Sequence, residues 1–327
     1  MRIVVTGGAG FIGSNFVRSA LGGELSGLRD AQFTVLDKLT YCGRVKNIAS
    51  MLGDARLSFV RGDICDADLI DRLMADHDAV VHFAAETHVD RSVADGDAFV
   101  RTNVLGTQTL LAAAVRHGIR RFVHVSTDEV YGSIDRGSWR EDQVLDPSSP
   151  YSAAKAGSDL LALAYHRTHG LPVVVTRCSN NYGPYQFPEK VIPLFVLRLL
   201  ARQTVPVYGT GQNVRDWLHV SDHCRGVALA LLGGRPGEVY HIGGGLELTN
   251  LELTARIVKA CDASWDQVVY VEDRPGHDRR YSLDHSKITE ELGYRPLVDF
   301  ERGLAATVEW YRTHQGWWES DQAASPS

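Results

Sequence analysis

Three short strings hold side chains whose types and spacing could do chemistry together. The first is Val125-Ser126-Thr127-Asp128-Glu129-Val130-Tyr131-Gly132. Its adjacent carboxylates suit an elimination, one withdrawing a proton as base and the other donating one as acid, provided their surroundings push the two pKa values apart. Thr-Asp-Glu is also a good N-capping string for a helix, so both readings stand on these residues alone. The second is Tyr151 and Lys155, four residues apart and therefore on one face of a helix. An ammonium beside a phenol lowers the phenol's pKa, which makes Tyr151 a candidate base. The third is Val4-Val5-Thr6-Gly7-Gly8-Ala9-Gly10-Phe11-Ile12-Gly13, with Gly7, Gly10 and Gly13 at three-residue intervals. Such a turn lets a pyrophosphate approach bare amides at a helix N-terminus. Asp37 ends the next apolar run, where a carboxylate accepts hydrogen bonds from a ribose and repels a 2′-phosphate, so NAD is favoured over NADP. Asp63 and Ile64, after the third run, are placed to flank the adenine.

The elements needed to position these groups are parallel βαβ units. Apolar runs at Ile3–Val5, Phe33–Leu36, Leu57–Val60, Ala79–Phe83 and Phe122–Val125 read as strands covered on both faces. Arg91–His117 and Tyr151–His169 read as long helices, and Val173–Thr176 as one more strand of the same sheet. The carboxylate pair then falls at the carboxyl end of a strand, where open α/β sheets bind ligands. The expected fold is a Rossmann-type, doubly wound parallel sheet over residues 1–180, followed by a smaller, loop-rich substrate domain over 181–320. The boundary near Asn180 is soft, with segments crossing back. Phe300–Trp310 is a last amphipathic helix, Trp317 and Trp318 are packing residues, and 321–327 is a frayed polar tail.

Composition removes several function classes. A net charge of -6 leaves no cationic surplus for a nucleic-acid backbone. The longest apolar stretch, Val191–Ala201, is broken by Pro193 and Arg198 and too short to span a membrane. The N-terminus lacks the pattern of a signal peptide. Five scattered cysteines without ligand spacing predict reduced thiols in a cytoplasmic protein, with no disulfide and no metal.

Tyr151 and Lys155, placed after a dinucleotide loop and Ser126-Thr127, resemble the extended short-chain dehydrogenase/reductases. With Thr127-Asp128-Glu129 the likeness narrows to the dTDP-glucose 4,6-dehydratase family. It runs through Ala84 to Arg91, Asn180 to Gln186, Glu189 to Phe195, Asn213 to Trp217 and Arg274 to Asp278. Thr87 stands where the family usually has serine, keeping the hydroxyl. The resemblance implies that Tyr151 takes the proton from the sugar 4-hydroxyl with Thr127 bonded to the same oxygen. Glu129 then removes the carbon 5 proton, Asp128 protonates the leaving 6-hydroxyl, and a tightly bound NAD is regenerated each turnover.

It further implies cofactor contacts from Gly7, Gly10, Phe11, Ile12, Gly13, Asp37, Lys38, Thr40, Asp63, Ile64, Phe83, Ala84, Ala85, Thr87, Thr102, Tyr151, Lys155 and Asn181. Substrate contacts fall to Thr87, His88, Thr127, Asn180, Lys190, Val191, Pro206, Tyr208, Arg215, Asn250, Arg274, His277 and Tyr281. Lys190, Arg215 and Arg274 would meet the diphosphate of dTDP-glucose. A homodimer is implied through the two long helices, with Leu111–Val115 and Leu160–Ala164 suited to that packing. The first rival is a UDP-sugar 4-epimerase or UDP-glucuronate decarboxylase of the same fold, disfavoured because neither chemistry expels a 6-hydroxyl. The second is an NAD-binding regulator, which needs neither Tyr151 nor Lys155.

Overall fold

The protein is represented by a computed structural model that describes residues 1–273 and 276–322. Strands β1 (Arg2–Thr6), β2 (Gln32–Asp37), β3 (Leu57–Arg61), β4 (Ala79–His82), β5 (Arg121–Thr127) and β6 (Val173–Cys178) lie in one sheet. β7 (Asn180–Tyr182), β8 (Val205–Tyr208) and β9 (Val214–His219) fall outside it, and β10 (Val239–Ile242) returns as its edge. The sheet order is β10-β6-β5-β4-β1-β2-β3, with every pair parallel. Residues such as Ile3, Val4 and Val5 are fully buried because helices cover both faces. The register sets Thr6 beside His82 and Thr127 beside Cys178, so the glycine loop and the carboxylate pair leave the sheet at the same end.

The second unit holds β11 (Glu247–Thr249) and β12 (Val268–Val271). β11 pairs with β9, which pairs with β7, and β12 pairs with β8. Its apolar core gathers Ile192, Phe195, Val196, Leu253, Leu304 and Val308 from three helices. Besides β10, two further segments cross back: the helix Val220–Gly233 packs Val220, Cys224 and Val227 into the core of the parallel sheet, and the helix Ser286–Leu292 adds Ile288 to it.

Three expectations need correction. Arg91–His117 is not one helix. Val89–Ala94 is followed by an extended Asp95, and the helix that resumes at Asp97 runs through wide i→i+5 turns over Val100–Gly106 before Thr107–Arg116. The wide turns place Asn103 so that its amide pairs with both backbone groups of Glu86, at 2.9 and 3.0 Å, pinning the segment after β4. The tail expected over 321–327 begins inside a helix, Gln315–Gln322, and 323–327 lie outside the described residues. Finally, Leu111, Ala113 and Ala114 are fully buried in the chain's own core, so Leu111–Val115 does not offer the outward face expected of it. The exposed apolar residues on these helices are Val93, Val100, Leu105 and Leu160.

Candidate active site

The helix Pro150–His169 begins where local chemistry dictates. Ser149 caps it by accepting from the Ser152 amide at 3.1 Å, Pro150 supplies a preset first turn, and Gly170 closes it in the left-handed region. Tyr151 is thereby fixed in the first turn and Lys155 one turn later, both buried. Lys155 donates Nζ to the Val125 carbonyl at 2.8 Å, tying the helix to the end of β5.

At that strand end the capping reading and the chemical reading coexist. The Thr127 hydroxyl accepts from the Glu129 amide at 3.3 Å, closing the turn Asp128–Tyr131, and donates to Asp128 Oδ1 at 3.1 Å. Asp128 is 2 % exposed, and its Oδ2 has no hydrogen-bond partner in the protein. Burial, then the neighbouring Glu129 and Asp216 carboxylates, push its pKa well above the ordinary range. Its surroundings therefore favour the protonated carboxylic acid, the form that can donate a proton.

Tyr151 departs from its expected state. Burial first, then Glu129, Cys178 and Asp128, raise its pKa well above that of an ordinary phenol. Lys155 is spent on the Val125 carbonyl, and its own pKa is lowered by burial. The protein alone thus holds Tyr151 as a phenol.

The cofactor side is built on the turn between β1 and the helix Phe11–Leu21. Gly7 is left-handed (φ 68°), and a Cβ there would stand 2.6 Å from the Ala84 nitrogen, so only glycine lets the turn lie against the end of β4. The helix has no side-chain cap and no acid in its first turn, leaving its leading amides for an anion. This fits a dinucleotide pyrophosphate. Asp37 is buried and shapes the turn itself, accepting from the Ala9 amide at 2.9 Å and the Leu39 amide at 2.8 Å. Lys38 pairs with Asp63 at 2.6 Å across the next strand end.

One cleft is lined by every expected catalytic and cofactor residue, from Gly7, Gly10, Phe11, Ile12 and Gly13 through Asp37, Lys38, Thr40, Asp63, Ile64, Phe83, Ala84, Ala85, Thr87, Thr102 and Asn181 to Thr127, Asp128, Glu129, Tyr151 and Lys155. Of the expected substrate residues, Thr87, Thr127, Asn180 and Lys190 also line it. Asn180 Oδ1 is buried without a partner, and Lys190 Nζ donates to the Thr87 carbonyl at 3.1 Å. The others do not line it. Arg215 lies over the Tyr281 ring at 4.1 Å and donates to the Asp278 carbonyl at 2.9 Å. His277 bonds to Asp273 at 2.7 Å, with Tyr208 edge-on to its ring. Pro206 lies in β8, Val191 and Asn250 open two helices, and Arg274 lies outside the described residues. His88 caps the short helix Val89–Ala94, accepting from the Arg91 amide at 3.4 Å, with Glu189 at 3.7 Å. The cleft also takes in Cys42, Glu86, Cys178, Gln186, Phe187 and Glu189. Glu86, Gln186 and Glu189 stand inside family-like strings, a signal that could have found them. Cys42 and Phe187 carried none.

The family model for GDP-mannose 4,6 dehydratases matches residues 4–307. A dTDP-glucose 4,6-dehydratase of Streptomyces niveus is 65% identical over 98% of this chain and 95% of its own length. DesIV, the dTDP-glucose 4,6-dehydratase of Streptomyces venezuelae, has a crystal structure with NAD bound. It superposes with a TM-score of 0.97 at 62% identity, covering 98% of this chain and 99% of that one. A UDP-glucose 4-epimerase of Thermotoga maritima still reaches 0.89 at 32% identity, covering 96% of this chain and 100% of that one. The fold is thus shared by enzymes of different chemistry, and the site has to decide among them.

Proposed function

The chain belongs to the dTDP-glucose 4,6-dehydratase family, and from that premise we propose how its residues divide the reaction. It is an NAD-dependent hydro-lyase that converts dTDP-glucose to dTDP-4-keto-6-deoxyglucose and water. NAD, when bound, supplies a hydride acceptor for carbon 4, a donor for carbon 6, and a cationic ring whose charge favours a phenolate nearby. Tyr151 accepts the 4-hydroxyl proton, and Thr127 bonds to the same oxygen. The ketone at carbon 4 acidifies the carbon 5 proton, which Glu129 removes. Asp128 gives its proton to the 6-hydroxyl, which leaves as water, and the proton held by Glu129 goes back to carbon 5 to complete the 4-keto-6-deoxy product. The observation that carries this assignment is the buried Asp128, whose Oδ2 has no partner in the protein and whose pKa is pushed up by burial and by the adjoining Glu129, since an elimination requires an acid held beside a base.

The 1–180 unit serves the cofactor and the chemistry in this reading, and the 181–320 unit, apart from the segments that return to the sheet, serves the nucleotide. Lys190, at the cleft wall, is the diphosphate contact best supported by its position, with Arg215 beside Tyr281 as a second. Incubation with dTDP-glucose is expected to give a product lighter by one water, with no NADH accumulating. Unchanged mass, or NADH in proportion to substrate, would overturn the reading.

We also propose a cytoplasmic homodimer. The five thiols are free, which fits a reducing compartment, and no helix among the described residues is long and apolar enough to cross a membrane. Leu160 is 58% exposed on the helix Pro150–His169 and Leu105 50% exposed in the wide-turn segment Val100–Gly106, apolar surface that a second copy would cover. Leu160→Glu is expected to shift the mass in light scattering from two chains to one. A dimer retained by that variant would place the interface elsewhere.

A further inference from the structure

The outer wall of the cofactor cleft is the loop after β2, where Lys38, Thr40, Cys42 and Gly43 line the cleft. The distal part of this loop is held by the far end of the chain. Asn47, 1% exposed, donates Nδ2 to the Ala9 carbonyl of the glycine turn at 2.7 Å and accepts from Trp317 Nε1 at 2.9 Å. The Arg44 amide donates to the same Ala9 carbonyl at 3.0 Å. Its guanidinium lies between two rings, 4.9 Å from Phe187 on the cleft wall and 4.7 Å from Trp317, and donates to the Trp317 carbonyl at 3.1 Å. Lys46 reaches the Gly316 carbonyl at 3.3 Å. Trp317 is anchored edge-on to Trp310 and Tyr185, at 5.0 and 5.9 Å between centroids, in the core of the second unit.

We propose that Trp317 latches the cofactor in place: by holding Asn47 and Arg44 it keeps the loop and the glycine turn closed together, and so sets how long NAD stays bound. The latch rests on the reading that the glycine turn and Asp37 hold NAD. Opening the loop requires these hydrogen bonds and the indole's packing to break as a unit, which makes escape rare. The reaction gives residence a purpose. The electron pair removed at carbon 4 must return to carbon 6 of the same sugar, and cofactor lost midway would strand the enzyme with a ketone it cannot convert. Trp317 touches neither sugar nor reacting atoms and is a positioning residue.

The test is the rate at which NAD leaves the full-length protein, followed by dilution into a large excess of labelled NAD. Trp317→Ala is expected to speed release about ten-fold or more. Trp317→Phe keeps a ring but loses the Nε1–H donor, and about three-fold is expected. With NAD saturating, kcat should stay within about two-fold for both, because no reacting group has moved. Release unchanged in both variants would overturn the latch. So would a kcat at saturating NAD that falls as far as release rises, since that marks a general loss of structure. If Trp317→Ala fails to fold, Trp317→Phe decides on the same criteria. A parent protein that binds no NAD would overturn the cofactor reading itself, and is seen before any variant is compared.

Discussion

Asp128→Asn is expected to oxidise substrate at carbon 4 close to the parent rate, yet to slow the expulsion of water by about 10²–10⁴-fold, the usual contribution of a positioned general acid. Asparagine preserves the shape of the side chain and its acceptor for the Thr127 hydroxyl, but offers no proton acidic enough for the leaving 6-hydroxyl. In a single turnover, the absorbance of enzyme-bound NADH should therefore rise and persist, where the parent shows it only in passing. If oxidation and water loss fell together, Asp128 would be a positioning group and not the acid. The same substitution has an opposite effect on stability. The folded protein keeps a proton on Asp128 that the unfolded chain loses above the ordinary carboxyl value of 3.8. In that interval the folded state binds more protons than the unfolded one, so stability falls as pH rises until Asp128 itself ionises. The neutral amide removes this dependence. Asp128→Asn should consequently melt higher than the parent at pH 7 to 8 (about neutral working conditions) while being far slower, a trade typical of strained catalytic groups.

Tyr151→Phe is expected to stop the reaction one step earlier, lowering kcat by about 10²–10⁴-fold with no NADH at any time. The ring remains to pack edge-on against Phe99, 6.2 Å away between centroids, so NAD content should match the parent. A burst of NADH in this variant would show that another group takes the 4-hydroxyl proton. The phenol's raised pKa sharpens the expectation. Burial and the carboxylates hold the proton on Tyr151 in the protein alone, and the protein's own charges do not offset this, with the Lys155 ammonium donating to the Val125 carbonyl.

Apolar runs covered on both faces, a glycine turn between strand and helix, Asp37 closing the next strand, and Tyr151 four residues before Lys155 were legible because each depends on neighbours within a few positions. Ser149-Pro150 and Gly170 likewise mark the ends of the catalytic helix by their own chemistry. The break at Asp95 and the wide turns at Val100–Gly106 were not legible. The apolar spacing there suggests one continuous helix although Val, Thr, Asn and Gly are weak helix formers, and the wide turns serve Asn103's bonds to Glu86, a contact made only after folding. Leu111–Val115 misled for a related reason, since an alanine-rich face does not say which neighbour it will meet.

What the sequence determined by itself was the sheet, the order of its strands' chemistry and the identity of the cleft's reactive groups, because local pattern and residue type suffice for those. Their electrostatic state was decided by tertiary structure alone. The Asp128 pKa is raised because burial, Glu129 and the distant Asp216 act on it together. Trp317 reaches Asn47 because two ends of the chain meet over the cofactor loop. Both depend on the dielectric and the packing that only the closed fold supplies.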